Sequence, residues 1–310
     1  MSAVVGARTG YRQAQALMGT VVSIEGPAGG DEVGAACERA FGWFAHVERA
    51  CSRFEADSEV VQLTRTVGKP VMVSAVLFEA VRFGTALACQ TAGAFDVAVG
   101  ALMERRGFDR SYRTGRRRRF GNGSQGATYR DLVLDERART ITLTRPVVID
   151  LGAVAKGLAI DLAARELAPL GDYAIDAGGD VYVQGRNLGG RVWRVGIQHP
   201  RKPGETIECL EVSNAAVCTS GDYEQRASTG GGHHIVDPRT GSSPTELASL
   251  TVVAPSAMLA DGLATAAFVL GAARGLRLIE RSGAEGMAIT RGLERRVTSG
   301  YQALVAGAPA

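Results

Sequence analysis

Residues 147–157 read VVIDLGAVAKG: a β-branched run closing on Asp150, a turn of small residues, and then Lys156 inside the start of an apolar helix. Val147–Asp150 is expected to be a strand. Ala153 to Ala168 has helical spacing and is closed by Pro169 and Gly171. Small residues between the two let a ligand approach the backbone, and a helix N-terminus favours anions such as phosphates. Lys156 falls in the first turn, where the helix dipole disfavours a cation unless an anionic partner is present. The spacing is not that of a Walker A loop, since no Gly-Lys-Ser/Thr follows a G-x-x-x-x run.

Outward from this stretch, apolar residues at Val33, Ala36, Cys37, Ala40, Phe41, Phe44 and Val47 predict an amphipathic helix from Asp31 to about Cys51. Ser74 and Ser256 are N-cap residues for two more helices, one ending before Gly93 and one reaching Leu270. Leu132–Leu134 and Thr140–Leu143 read as a strand pair. Further strands are expected at Tyr173–Ile175, Val181–Val183, Val192–Ile197, Ile207–Val212 and Leu250–Val253. Strands and helices occur in mixed order without strict alternation. The expected fold class is therefore α+β, a mixed architecture in one body or two lobes, and not a doubly wound parallel sheet.

Composition bounds the function. The 45% apolar and 22% charged fractions are those of an ordinary globular chain, and the 310 residues can bury a sizeable core. The longest apolar stretch, Leu263 to Ala273, is about half of the roughly 20 residues a spanning helix needs, so no transmembrane segment is expected. The five cysteines are odd in number and form no C-x-x-C pair, which argues against a zinc site or a disulfide framework and for a cytoplasmic location. Net charge is +3, yet Arg105 to Arg130 alone carries +8, leaving the rest of the chain at −5. Few aromatics interleave with these arginines and the remainder is acidic, so nucleic acid is not an expected partner.

Two more groups of residues point to chemistry. Asp261 and Thr265 lie four apart and project from one face of an otherwise apolar helix, an oxygen pair that suits Mg²⁺. His233 and His234 stand at an expected strand start, where neighbours face opposite ways. They do not chelate one metal, and one of them is placed to move a proton. Ala94-Phe95-Asp96 puts an aromatic and a carboxylate at an element boundary, whereas Gly178-Gly179-Asp180 and Ser220 to Tyr223 read as hairpin punctuation.

In order along the chain, Met18-Gly19-Thr20, Ser52 to Glu59, Gly93 to Gly100, Ile149 to Gly157, Thr219 to Tyr223, His234 to Gly241 and Ala260 to Thr265 closely resemble the FAD:protein FMN transferases, the ApbE family. The resemblance covers about residues 15 to 272. It implies one transferase domain over 15–305, preceded by an N-terminal segment 1–14, with the Arg-rich loop 110–130 as an insertion. It implies FAD as substrate, Mg²⁺ as cofactor and an acceptor flavoprotein whose Ser or Thr receives FMN as AMP leaves. Met18, Phe54, Ala94, Phe95, Asp96, Asp150, Lys156, His234 and Ile235 would then line the flavin site, with Asp150 meeting a polar edge of adenosine or flavin. The Ala153 carbonyl, Asp261 and Thr265 would hold the metal, and His234 would assist the acceptor hydroxyl. Phe54 stands where the family commonly has Tyr, which keeps stacking and loses a phenol hydrogen bond. Gln125 precedes Gly126-Ala127-Thr128 where an acceptor sequence would need Ser or Thr, so self-flavinylation is not expected. Two rival readings use the same residues: an FAD pyrophosphatase, with water in place of the hydroxyl, and a protein that binds FAD and leaves it intact.

Overall fold

The computed structural model describes residues 10–120, 126–224 and 232–307. In chain order these begin with strands β1 (Tyr11–Leu17) and β2 (Thr20–Gly26), helices α1 (Asp31–Cys51) and α2 (Glu59–Arg65), and strand β3 (Val71–Met72). Helices α3 (Ala75–Gln90) and α4 (Gly100–Arg105), strands β4 (Leu132–Asp135) and β5 (Thr140–Leu143), and helix α5 (Gly152–Leu167) follow. Then come strands β6 (Tyr173–Ala177), β7 (Asp180–Gln184), β8 (Trp193–Gln198), β9 (Thr206–Val212), β10 (Ala215–Gly221) and β11 (Leu247–Ala254). Helices α6 (Ala257–Leu270) and α7 (Ala272–Arg281) and strands β12 (Glu285–Thr290) and β13 (Arg295–Val297) close the chain. The class is α+β, as the mixed order of elements predicts. The chain divides into two compact units, one of Met1–Ala45, Lys156–Tyr223 and Thr245–Ala310, the other of His46–Ala155 and Glu224–Pro244.

The first unit is built on an eight-stranded antiparallel sheet in the order β1-β2-β6-β7-β10-β11-β12-β13. Its edge strand β1, Tyr-Arg-Gln-Ala-Gln-Ala-Leu, alternates half-buried with exposed residues, whereas the central β11 is buried along its whole length. Helix α6 packs on β10 and β11, and ten of its fourteen residues are buried. The start of α6 is fixed twice. Ser256 caps Leu259 N–H at 3.4 Å, and the Asp161 carboxylate accepts Ala257 N–H at 2.6 Å and Met258 N–H at 3.0 Å. Asp161 belongs to α5, which approaches so closely that a Cβ on Gly157 would lie 2.5 Å from the Ala257 carbonyl oxygen. Only glycine permits that contact, and the contact sets Lys156 beside α6.

The second unit holds the three-stranded sheet β3-β5-β4 with α2, α3 and α4. Ser74 caps α3 as its sequence predicts, accepting Leu77 N–H at 3.2 Å. Val147–Asp150 is not a strand: it joins no ladder. Asp150 N–H donates to the Val97 carbonyl at 2.8 Å, and the Val148 carbonyl accepts Gly100 N–H at 3.0 Å. A 3₁₀ turn at Val97–Val99 occupies the backbone groups that a neighbouring strand would have used.

Candidate functional site

In the first unit the β1–β2 hairpin closes through a two-residue turn, Met18-Gly19, both at positive φ (49° and 78°) and flanked by the pair Leu17–Thr20. That is a type I′ turn, whose first position normally takes Asn, Asp or Gly. A methionine held in this region is the kind of backbone outlier that accumulates at ligand sites. The β6–β7 turn lies against it. Gly178 N–H donates to the Val21 carbonyl at 3.1 Å, and a Cβ at Gly178 would sit 2.1 Å from Thr20 Oγ1. Gly179 N–H donates to Asp176 at 2.8 Å, so the turn delivers Asp180 at the start of β7.

Asp180 is buried and accepts Thr219 N–H at 3.1 Å through Oδ1, while its Oδ2 forms an ion pair with Lys156 Nζ. This is the anionic partner that a lysine near a helix start requires. Lys156 Nζ also stands 3.8 Å from Asp261 Oδ2. Asp261 is 7% exposed, and its Oδ2 is buried and accepts no hydrogen bond. One turn along α6, Thr265 Oγ1 meets Ser220 Oγ at 3.3 Å, and Thr219 and Thr251 hydroxyls meet at 2.9 Å. Asp261 and Thr265 thus do turn inward, toward a row of hydroxyls on β10 and β11. Burial raises the Asp176 carboxyl above the ordinary Asp range, opposed by the Gly179 N–H and the Lys156 charge. Cys218, wholly buried, is pushed well above the ordinary thiol range and is no nucleophile. Asp176, Asp180, Thr219 and Ser220 belong to this cluster, although Gly178 to Asp180 and Ser220 to Tyr223 read in the sequence as turn punctuation. The available signal was a carboxylate directly after Gly-Gly.

In the second unit Asp150 is tied to Arg53, a member of the Ser52 to Glu59 motif with no role assigned from sequence. Arg53, 6% exposed, donates from Nε to Asp150 Oδ2 at 2.7 Å and from Nη2 to the Phe108 carbonyl. Its guanidinium carbon lies 4.2 Å from the centre of the Phe54 ring. Asp150 Oδ1 accepts Gly152 N–H at 2.9 Å, so both of its oxygens are engaged within the chain. Asp96 is engaged likewise, by Ala98 N–H at 2.8 Å and Tyr129 N–H at 3.0 Å; burial raises its pKa against those two bonds. Ala94 and Phe95 are buried, Phe54 and Ala153 half-buried.

The two histidines are not at a strand start. His233 is buried, its Nε2 donating to the Pro244 carbonyl at 3.0 Å and its backbone bonded twice to Ser243. His234 is half-buried, 6.5 Å from His233 between ring centres, and Ile235 is buried. The neighbours do differ in exposure, through a bend and not a pleat. The described part of the Arg-rich segment is anchored: Arg119 binds the buried Asp109 at 2.5 Å, Tyr112 bonds Glu48, and Phe120 N–H bonds Glu104. Gln125 lies outside the described residues. Thr128 caps the following 3₁₀ turn, its hydroxyl accepting Arg130 N–H.

Among the described residues no three His, Cys, Asp or Glu side chains gather as a metal centre. What the first unit offers instead is one buried carboxylate oxygen without a hydrogen bond, beside a hydroxyl one helical turn away. Such hard oxygen donors fit Mg²⁺, which completes its shell with waters and substrate phosphates. No helix among the described residues is long and apolar enough to cross a membrane.

The fold is α+β, and its buried cluster gathers carboxylate, hydroxyl and amine groups. The chain belongs to the ApbE family, whose family model matches residues 18–289. It is 31% identical over 255 residues to the FAD:protein FMN transferase of Haemophilus influenzae, covering 76% of this chain and 72% of that one. It is also 31% identical over 245 residues to the Vibrio cholerae protein of the same name, with 74% and 71% covered. Among solved structures, the ApbE protein of Thermotoga maritima superposes with a TM-score of 0.84 at 26% identity, over 96% of this chain and 99% of that one. The apo flavinyl transferase ApbE of Pseudomonas stutzeri gives 0.81 at 25% identity, over 97% and 98%.

Proposed function

We propose that this chain transfers the FMN half of FAD to a Ser or Thr hydroxyl of an acceptor flavoprotein. The acceptor oxygen forms a bond to the FMN phosphorus, the pyrophosphate P–O bond to AMP breaks, and its electron pair leaves with AMP. The hydroxyl proton passes to His234, the half-buried histidine, while His233 is held by Pro244. The observation that carries the reading is the buried, hydrogen-bond-free Asp261 Oδ2 beside Lys156. The names of the relatives above support it.

Asp261 and Thr265 would hold Mg²⁺, which when bound neutralises charge on the phosphate oxygens. Lys156 adds charge to the same phosphates, exchanging part of its pairing with Asp180 for them. In the second unit Phe54, Ala94, Phe95 and Ile235 frame the FAD. Asp96 and Asp150 act by holding that frame, Asp150 through the Arg53 guanidinium that backs the Phe54 ring. The test is Asp261→Ala. The variant is expected to stay folded and lose FMN transfer to background, and wild-type turnover by a folded variant would remove the metal assignment.

A further inference from the structure

Guanidinium groups repel one another, and a protein gathers them without carboxylates only at a cost unless an anion joins them. In the second unit a cavity of about 330 Å³ is lined by Arg65 from the end of α2, by Arg118 and Arg119, and by the apolar surfaces of Val67, Phe120 and Val147. Arg119 is already committed to Asp109. Among the described residues no carboxylate lies within ion-pair distance of Arg65 or Arg118. Arg118 Nε is buried and has no hydrogen-bond partner, and its Nη1 makes only a long 3.5 Å contact to the Phe54 carbonyl. Burial, and then the Arg65 charge, lower its pKa; Glu55 and Asp57 offset part of this. An orphaned guanidinium N–H beside a second free guanidinium, at the mouth of a cavity, is an oxyanion site in waiting.

We propose that this cavity binds a phosphate group, free or carried on a small phosphomonoester, between Arg65 and Arg118. Two planar forks match the oxygen spacing of a phosphate. The volume exceeds what one phosphate fills, and Val67, Phe120 and Val147 give an apolar wall for an attached body. None of these residues takes part in the FMN-transfer assignment, so the proposal stands or falls separately from it.

The experiment is isothermal titration of the full chain, without added metal, first with inorganic phosphate and then with AMP. Both are repeated on Arg65→Gln, on Arg65→Gln/Arg118→Gln and on Lys156→Ala. Binding of at least one of the two probes is expected, weakened about tenfold by Arg65→Gln, which loses one charge-assisted contact, and abolished in the double variant. Lys156→Ala should bind as wild type. Tighter AMP than phosphate would identify the phosphomonoester as the ligand, and the reverse would identify the free ion. Failure of both probes to bind, or binding lost in Lys156→Ala and kept in the arginine variants, would overturn the proposal. Arg65 is exposed at a helix end, so its single variant keeps the test valid even where the double variant fails to fold.

Discussion

Replacing Arg53 with Met should cost the second unit about 2–3 kcal/mol, a large share of the roughly 5–15 kcal/mol that holds a domain folded. The magnitude comes from three contributions. Removing one partner of a buried ion pair costs about 3–5 kcal/mol, and the lower end applies here. The Asp150 side chain is 16% exposed, and Oδ1 keeps Gly152 N–H at 2.9 Å after Oδ2 is stripped. Loss of the guanidinium over the Phe54 ring adds about 0.5–1 kcal/mol. Against these, Arg53 Nη1 is already buried without a hydrogen bond, and its removal returns about 1 kcal/mol of desolvation. Met fills a similar volume, so little cavity term enters. Urea denaturation followed by far-ultraviolet circular dichroism measures the loss. A double-mutant cycle with Asp150→Asn should yield a coupling of about 1–3 kcal/mol. A loss below about 0.5 kcal/mol with no coupling would mean that Asp150 is not held by Arg53, and the support assigned to Phe54 would go with it.

The two histidines should separate by readout. His234→Ala should keep its stability and lose transfer by about 10²–10⁴-fold, whereas His233→Ala should lose stability by about 1–3 kcal/mol through the orphaned Pro244 carbonyl. The reverse ranking in activity would move the proton acceptor to His233. For Asp96 the sign follows from its raised folded pKa. Below the unfolded value of about 3.9 the carboxyl is neutral in both states, and its contribution to stability is lost as pH rises through the folded value. Asp96→Asn escapes that loss but gives up one backbone acceptor, so its deficit against wild type should be smaller at pH 7 than at pH 4 by urea denaturation. A deficit that grows with pH would contradict the burial of this charge.

Local signals carried well from sequence to structure wherever one element decided the outcome. Ser74 and Ser256 mark helix starts because a hydroxyl cap is a contact within four residues, and the Val33–Val47 stripe marks α1 by its period. Strands built from small or polar residues carry no such local signal. In β10, Ala-Ala-Val-Cys-Thr-Ser-Gly has no alternation because both faces are covered, and β1 is an edge whose outer face is polar. The site was legible as a set of motifs but not as a set of roles. The pairing of Arg53 with Asp150 spans 97 positions, and that of Lys156 with Asp261 joins two helices; no local period encodes either. Val147–Asp150 shows the opposite failure, a β-branched run whose partner is a 3₁₀ turn instead of a strand.

The central claim is that FMN leaves FAD for a protein hydroxyl. The most direct measurement is to incubate the full chain with FAD, Mg²⁺ and a candidate acceptor flavoprotein. Intact-protein mass spectrometry then follows the acceptor while liquid chromatography quantifies AMP. The account predicts one FMN adduct on a Ser or Thr of the acceptor, AMP released in equal amount, and neither product with Asp261→Ala. FMN and AMP appearing free in solution with no adduct would make the chain a pyrophosphatase. FAD recovered intact from an acceptor that a related transferase does modify would contradict the account altogether.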